Sequence, residues 1–309
     1  MTASTRGRSF ADGALVIDKP AGPTSHDIVA AVRRIAGGKV GHTGTLDPLA
    51  TGVLPLLVGR ATRLAQFLAD AQKVYEADVR FGWATDTGDA AGRPLGPEVD
   101  APPSEDRLAG ALDRFRGSFD QRPPAYSAKR VGGKRSYDLA RADRALELEA
   151  VSVTVHALDL IRLDANVARL RVACSAGFYV RSLAHDLGDV LGCGAHLAGL
   201  RRLASGRFTL DQAIGLERAL TDRDGALAAV VPMADILPDL PAVQISEHDV
   251  ARVRRGLDLP LVGLSDPMAA PRGNRIRLLA PDGSLTAVAT WTGATAEGAG
   301  ALHPAVVVG

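Results

Sequence analysis

A chain of 309 residues, 46% hydrophobic and only 4% aromatic, has room for one large domain and a small one. A formal net charge of +1 is a weak signal for a nucleic-acid protein, and no apolar run approaches the length of a membrane helix. The two cysteines, Cys174 and Cys193, make neither a C-x-x-C pair nor a metal-ligand spacing, so no metal centre is expected. Cys174 alternates with Val172 and Leu170 and reads as a buried strand thiol, consistent with a reducing cytoplasm. Charge distribution says more than the sum. Residues 122–144 carry seven basic side chains (Arg122, Lys129, Arg130, Lys134, Arg135, Arg141, Arg144) against Asp138 and Asp143. Residues 86–106 carry six acids against Arg93. Such segregation suits an RNA-facing side and an opposite side, although a solvated basic loop has the same composition.

Residues 1–12 are polar, lack an apolar signal core and read as a flexible tail. Residues 14–18 form a short apolar strand. The turn-rich loop 19–25 follows, and Ser25 is placed to cap the next helix, with Asp27 in its first turn. Ile28, Val29, Val32 and Ile35 share a helical face that Gly37 and Gly38 bring to an end. Residues 41–54 read Gly-His-Thr-Gly-Thr-Leu-Asp-Pro-Leu-Ala-Thr-Gly-Val-Leu. Asp47 has no second carboxylate near it in sequence, and Pro48 biases it away from helical dihedrals. An acid on a Gly-rich loop beside the apolar run 53–58 fits a nucleophile or base, whereas an isolated Asp-Pro is most often a turn. Leu64, Phe67 and Leu68 have helical spacing. Residues 74–81 alternate as a strand that puts Tyr75, Ala77, Val79 and Phe81 on one face.

Residues 86–103 are a connector rich in Asp, Gly and Pro. Ser104 caps a helix with Leu108, Leu112 and Phe115 on one face. A basic insertion spans about 121–150, with a Gly132-Gly133 tip and a short helix over 136–144. Residues 151–163 and 167–174 make a hairpin around Asp164-Ala165-Asn166. Val180, Leu183, Ala184, Leu187, Val190 and Leu191 form a strong helical stripe that places Arg181 near a helix N-terminus. There the dipole mildly disfavours a cation unless an anion waits. Pro232 to Pro241 looks like a domain joint. Beyond it, Ser246-Glu247-His248-Asp249 is a capping-box signature, and residues 275–280, 285–291 and 305–308 read as strands.

Several of these strings resemble one family. Residues 41–54 fit every fixed position of the pattern GHTGxLDPxAxGxL of the TruB family of pseudouridine synthases. Lys19-Pro20-Ala21-Gly22-Pro23-Thr24-Ser25 is similar to its first motif, and Lys73-Val74-Tyr75 to its Lys-x-Tyr segment. Gln121 to Lys129 resembles its Q-x-P-P-x-Y-S-A-x-K segment, with the lysine one place early. Cys174 to Leu183 resembles C-S-x-G-T-Y-I-R-S-L, with Phe178 in place of threonine, and Gly194 to Arg202 resembles G-x-x-A-H-L-x-x-L-R-R.

The resemblance implies an α+β pseudouridine synthase fold, a large mixed, mainly antiparallel sheet flanked by helices over 13–240. A small C-terminal domain of PUA type over 241–309 is implied by position. It implies that Asp47, Arg181 and Tyr75 are catalytic. His42, Tyr75, Tyr179, Leu200 and Lys19 are expected to bind substrate, the Lys19 loop as a buttress of the catalytic loop rather than as a reactant. His196 is expected to be a packed structural histidine. Arg122, Lys129, Arg130, Lys134 and Arg135 are expected to grip RNA. The implied reaction is conversion of the T-loop uridine, position 55 of tRNA, to pseudouridine on a flipped-out base, without cofactor or metal. The expected setting is a cytoplasmic monomer that binds the tRNA T-arm, with no membrane and no obligate protein partner. Burial should raise the pKa of Asp47 and a nearby Arg181 should oppose that. A guide-RNA-dependent synthase, a tRNA-folding chaperone with secondary catalysis and an aspartate-nucleophile hydrolase are the rival readings. Against the first stand the lack of Lys-rich tails and the moderate charge. The last lacks a second acid or metal partner.

Overall fold

The computed structural model describes residues 10–100, 102–124, 130–131, 134–135, 149–260, 275–294 and 300–309, with backbone alone at 130–131, 134–135 and 293–294. Residues 1–9 of the tail expected over 1–12, Lys129, the Gly132-Gly133 tip and the helix over 136–144 lie outside the described residues, while Phe10 is buried in the core and Asp12 pairs with Arg60. No helix among those described is long and apolar enough to cross a membrane.

The chain opens with strand β1 (Gly13–Lys19), helix α1 (Ser25–Ala36), β2 (Val40–His42), β3 (Thr51–Val58) and β4 (Lys73–Phe81). Helix α2 (Glu105–Leu112) follows, then β5 (Gly117–Gln121), the two-residue strands β6 (Arg130–Val131) and β7 (Lys134–Arg135), and the long hairpin β8 (Val151–Asp164) and β9 (Val167–Cys174). Helix α3 (Val180–Leu191) leads into β10 (Ala195–Ser205), a strand that the run of Gly, Leu and Arg does not announce. Short strands β11 (Phe208–Thr209), β12 (Ile214–Gly215) and β13 (Val231–Pro232) and helices α4 (Leu216–Thr221) and α5 (Arg223–Ala228) complete this part.

All of these strands but β6 and β7, which pair with each other, form an eleven-stranded sheet whose main path is β12-β1-β3-β10-β4-β9-β8-β5. Only β1–β12 and β3–β10 pair in parallel; the remaining pairs are antiparallel, which is the mixed, mainly antiparallel sheet expected. One face is covered by α1, α2 and α3. Ile28, Val32, Leu108, Leu112, Leu183 and Leu187 pack there against Leu15, Leu54, Val79, Leu158 and Leu170 in one apolar cluster. Alternation explains the partition: β4 buries Lys73, Tyr75, Ala77, Val79 and Phe81 and leaves the intervening residues half-buried.

Two local expectations change. Thr24, not Ser25, caps α1: its hydroxyl accepts from the Asp27 amide while Asp27 accepts from the Thr24 amide. The Ser25 hydroxyl is committed instead to Leu46, accepting from its amide at 2.8 Å and donating to its carbonyl at 2.9 Å. Residues 59–67 wind as a 3₁₀ helix rather than an α-helix.

The opposite face of β1 and β3 is covered by the C-terminal segment. There β14 (Ala242–Gln244), α6 (Glu247–Arg254), β15 (Leu259–Pro260), β16 (Arg275–Leu279), β17 (Leu285–Ala294) and β18 (Gly300–Val307) build a five-stranded sheet around its own core. Ala14, Val16, Val53 and Leu57 share a second apolar cluster with Leu285, Val288 and Val308. The proline-rich joint is clamped by Arg277, which donates to the carbonyls of Ala234, Pro238 and Leu240.

Gly52 is the tightest point in the sheet. Its φ is +99°, and a Cβ there would stand 2.2 Å from the Arg202 carbonyl oxygen, a backbone atom that cannot step aside. Gly52→Ala should therefore lose at least about 2 kcal/mol, combining a disfavoured φ with overpacking. Denaturant unfolding against wild type measures it; an unchanged midpoint would show that β3 and β10 can separate at no cost.

Candidate active site

The loop between β2 and β3 carries Asp47, and nearly every backbone group around it has a partner. Lys19 is fully buried and donates to the carbonyls of Ala50 at 2.7 Å, Pro20 at 2.9 Å and Pro48 at 3.3 Å. The Gly22 amide donates to the Pro48 carbonyl at 2.8 Å, and the Ala50 amide to the Asp47 carbonyl at 3.0 Å. From the other side Arg202, only 1% exposed, donates to the carbonyls of Val53 at 2.7 Å, Gly44 at 3.1 Å and Thr45 at 3.4 Å. A loop whose buried carbonyls are so occupied holds its acid in one place.

Arg181 meets that acid from the first turn of α3. Its Nη2 donates to Asp47 Oδ1 at 3.3 Å and its Nε lies 2.9 Å from Oδ2, a two-point grip. The guanidinium is 6% exposed and the carboxylate side chain 33%. Behind it, Nη1 donates to the Thr87 carbonyl at 3.1 Å and stands 3.9 Å from Asp89, itself fixed by Thr87 and the Ala91 amide. The start of α3 is pinned by Gln121, whose amide donates to the Tyr179 carbonyl at 3.0 Å and accepts from the Tyr179 amide at 2.8 Å.

Burial pushes the pKa of Asp47 up, Arg181 opposes it, Asp89 adds to the rise, and Lys19 opposes it in turn. A third of the side chain is open, yet protein on the remaining sides makes burial the largest influence. Burial likewise raises Tyr75, with the Arg202 guanidinium beside its hydroxyl working the other way. Lys19 falls to about 8, chiefly through burial, despite the nearby Asp47.

Asp47, Tyr75, Tyr179, Arg181 and Leu200 line one cavity of about 280 Å³. Of the residues expected to bind substrate, Lys19 and His42 do not line it. Lys19 lies under the loop with its donors on carbonyls, which is the buttressing place and not one of substrate contact. His42 ends β2, half-buried. His196 is packed, with Nδ1 3.0 Å from the Trp83 carbonyl and its ring 5.1 Å from the indole. Arg122 is exposed beside the first turn of α3, where its carbonyl accepts from Ser182, and does not line the Asp47 cavity. Arg130, Lys134 and Arg135 lie on the β6–β7 hairpin, Arg130 opposite Arg135. Sequence reasoning assigned no role to Arg202, Gln121, Asp89 or Lys73. Three of them sit inside strings that resemble motifs, but only strand register shows Arg202 opposite Tyr75.

A pseudouridine synthase fold is what this architecture matches. A subunit in the structure of an H/ACA ribonucleoprotein bound to a substrate RNA containing 2′-deoxyuridine superposes with a TM-score of 0.72 at 27% identity, covering 96% of this chain and 85% of that one. The family model for the N-terminal domain of TruB family pseudouridylate synthases matches residues 32–180, and that for the tRNA pseudouridylate synthase B C-terminal domain matches 181–232. A tRNA pseudouridine synthase B of Solibacter usitatus is 52% identical over 280 residues, 90% of this chain and 94% of that one. One of Burkholderia lata is 46% identical over 277 residues, 88% and 84% of the two chains. The chain belongs to the TruB family of pseudouridine synthases.

The raised pKa of Asp47 fixes a sign. Its folded value lies above the ordinary 3.8, so the folded protein takes up a proton in that interval and the ionised carboxylate opposes folding above it. As the pH rises from about 4 to about 7, the melting temperature of Asp47→Asn should climb relative to wild type, whatever the gap at the acid end. Calorimetric melts across that range check this; a gap that narrows would mean that Arg181 outweighs burial.

Proposed function

We propose that this protein isomerises the T-loop uridine at position 55 of tRNA to pseudouridine, with Asp47 as nucleophile or base on a base flipped out of its stack. One observation carries the reading: a carboxylate oriented by an arginine fork at the wall of a nucleoside-sized cavity that also presents an aromatic ring and a leucine. The reaction breaks N1–C1′, turns the uracil and joins C5 to C1′. It needs a carboxylate aimed at the sugar or the base and walls that hold the freed base in place. Arg181 keeps Asp47 ionised and aimed against the burial that favours its protonated form. Tyr75 offers a face for stacking, Tyr179 and Leu200 line the pocket and Leu200 excludes water. His42, outside the cavity, is placed to meet the RNA that the base has left. The relatives named tRNA pseudouridine synthase B support a tRNA substrate, and the moderate identity to the ribonucleoprotein subunit gives a guide RNA less weight. On this reading the protein acts in the cytoplasm as a monomer, and residues 241–309 form a PUA-like domain.

Asp47→Asn should abolish conversion of an unmodified tRNA transcript and leave tRNA binding within about threefold, since the carboxylate reacts and the basic surface binds. Tritium release and filter binding on the same preparation decide it; turnover near the wild-type rate would reject Asp47. Conversion that required an added guide RNA would favour the rival branch of the superfamily.

The β6–β7 hairpin carries the RNA grip in this reading. Each phosphate contact contributes a slope of about −0.7 to −0.9 in log K against log salt through counterion release. Replacing Arg130, Lys134 and Arg135 with Ala should flatten that slope and raise KM more than it lowers kcat. An unchanged slope in a salt titration would make the hairpin a solvated loop.

A further inference from the structure

Lys73 opens β4 two residues before Tyr75, so the two side chains leave the same face of the strand. It is 7% exposed and lines the active-site cavity. An ammonium has three N–H donors. Among the described residues this one donates to a single acceptor, the Ala69 carbonyl at 3.0 Å. The other cations of the site are committed. Arg202 donates to three carbonyls beside the Tyr75 hydroxyl, Arg181 to Asp47 and Thr87, and Lys19 to three carbonyls beneath the loop. Lys73 is the cation of the cavity wall with donors open to a ligand.

Its surroundings fix which part of a ligand it meets. Asp47 is held by Arg181, with Asp89 behind it and Lys19 beneath its loop, whereas Lys73 has Arg202 and Asp70 as its charged neighbours and stands opposite Cys174, whose thiol burial keeps neutral. Tyr75 shares the buried face of β4 with Lys73, pairs opposite Arg202 and lines the same cavity as Asp47. A uridine with its sugar at Asp47 and its base along Tyr75 turns the outer edge of the uracil, with its carbonyls, toward Lys73. Breaking N1–C1′ leaves the bonding pair on the base, spread over O2 and O4. Attack of a carboxylate on C6 instead pushes a pair onto O4. Both routes build negative charge on a uracil carbonyl. Burial and the neighbouring Arg202 already disfavour the Lys73 cation, so an anion arriving between the two relieves their repulsion.

We propose that Lys73 is a catalytic residue: its ammonium donates to a carbonyl oxygen of the target uracil and stabilises the negative charge that accumulates there in the transition state. The inference rests on the pseudouridylation reading above. Lys73 forms no covalent bond and transfers no proton. When C5 bonds to C1′, the C5 proton leaves, its pair restores the C5–C6 double bond, and N1 takes up a proton, which returns the base to neutrality. A fixed donor aimed at charge that exists only in the transition state raises kcat rather than binding.

The test is a cycle on T-arm stem-loops carrying uridine, 2-thiouridine or 4-thiouridine at the target, with wild type and Lys73→Met under single-turnover conditions. Sulfur accepts hydrogen bonds poorly. Lys73→Met should slow uridine conversion by about 10²–10³-fold, the usual cost of one such donor, with little change in RNA Kd. One of the two thio substitutions should change the rate by different factors in wild type and variant, and that position names the oxygen contacted. Equal factors at both positions, or a uridine rate close to wild type, would overturn the proposal. If Lys73→Met does not fold, Lys73→Leu, which likewise has neither charge nor donor, takes its place with the same outcomes. Failure of wild type to convert the uridine stem-loop rejects the pseudouridylation reading itself and is distinguishable from either result.

Discussion

A carboxylate and a guanidinium, both partly withdrawn from water, set the terms for the rest of this structure. Burial drives Asp47 toward its neutral form, and Arg181 at 2.9 Å drives it back. A solvated aspartate would be ionised without help, and a buried one without its arginine would be driven further toward its protonated form. Desolvating such a pair costs several kcal/mol per ion unless the remaining hydrogen-bonding groups are satisfied. Here the Thr87 carbonyl accepts from the guanidinium, the Asp89 carboxylate stands 3.9 Å behind it, and the loop that carries Asp47 has its carbonyls held from two sides. The position of Arg181 in the first turn of α3 adds a small penalty from the helix dipole, which the two carboxylates offset.

Two arginines in succession on β10 have separate partners. Strand alternation sends them to opposite faces. Arg201 reaches Asp18 in a two-point ion pair near the surface, at 2.8 and 3.1 Å. Arg202 turns inward and threads its guanidinium between β3 and the loop that carries Asp47. Its own backbone passes so close to β3 that only glycine fits opposite, at Gly52. One short parallel contact, Thr51 with Arg201 and Gly52 with Arg202, thus fixes the loop, the arginine and Tyr75 in a single register.

Much of this was legible in the chain. Strands with clean alternation, such as β4 and β9, and helices with an apolar stripe, such as α1 and α3, appear where their patterns place them. So does the opposition of burial and Arg181 at Asp47. What the sequence withheld depends on contacts far apart in the chain. The Ser25 hydroxyl has the chemistry of a cap, and only the folded loop shows that Leu46 takes it and that Thr24 caps instead. Lys19 is legible as a buttress of the loop, and only the fold shows which three carbonyls it holds. β10 was hidden because its bulged pairing with β4, shifted between Leu197 and Gly199 and again between Arg202 and Ala204, breaks the two-residue period that marks a strand. The β6–β7 hairpin is legible as a basic segment, and its register adds only that Arg130 and Arg135 face one another across it.

Where each charge is mounted bears on what the site can do. Asp47 rides on a loop, but Lys73, Tyr75 and Arg202 stand on the paired strands β4 and β10 near the middle of the eleven-stranded sheet, and Arg181 on a helix packed against it. Strand-mounted groups keep their spacing while a substrate enters, because moving one of them would break sheet hydrogen bonds. The loop is the one part that could shift, and it is the part held by Lys19, Ser25, Gly22 and Arg202. In the proposed reaction the base is detached, turned and rejoined, so tight contacts cannot hold it throughout. On that reading Asp47 and Lys73, with the Tyr75 face between them, act on the sugar and on the far edge of the uracil while the ring turns.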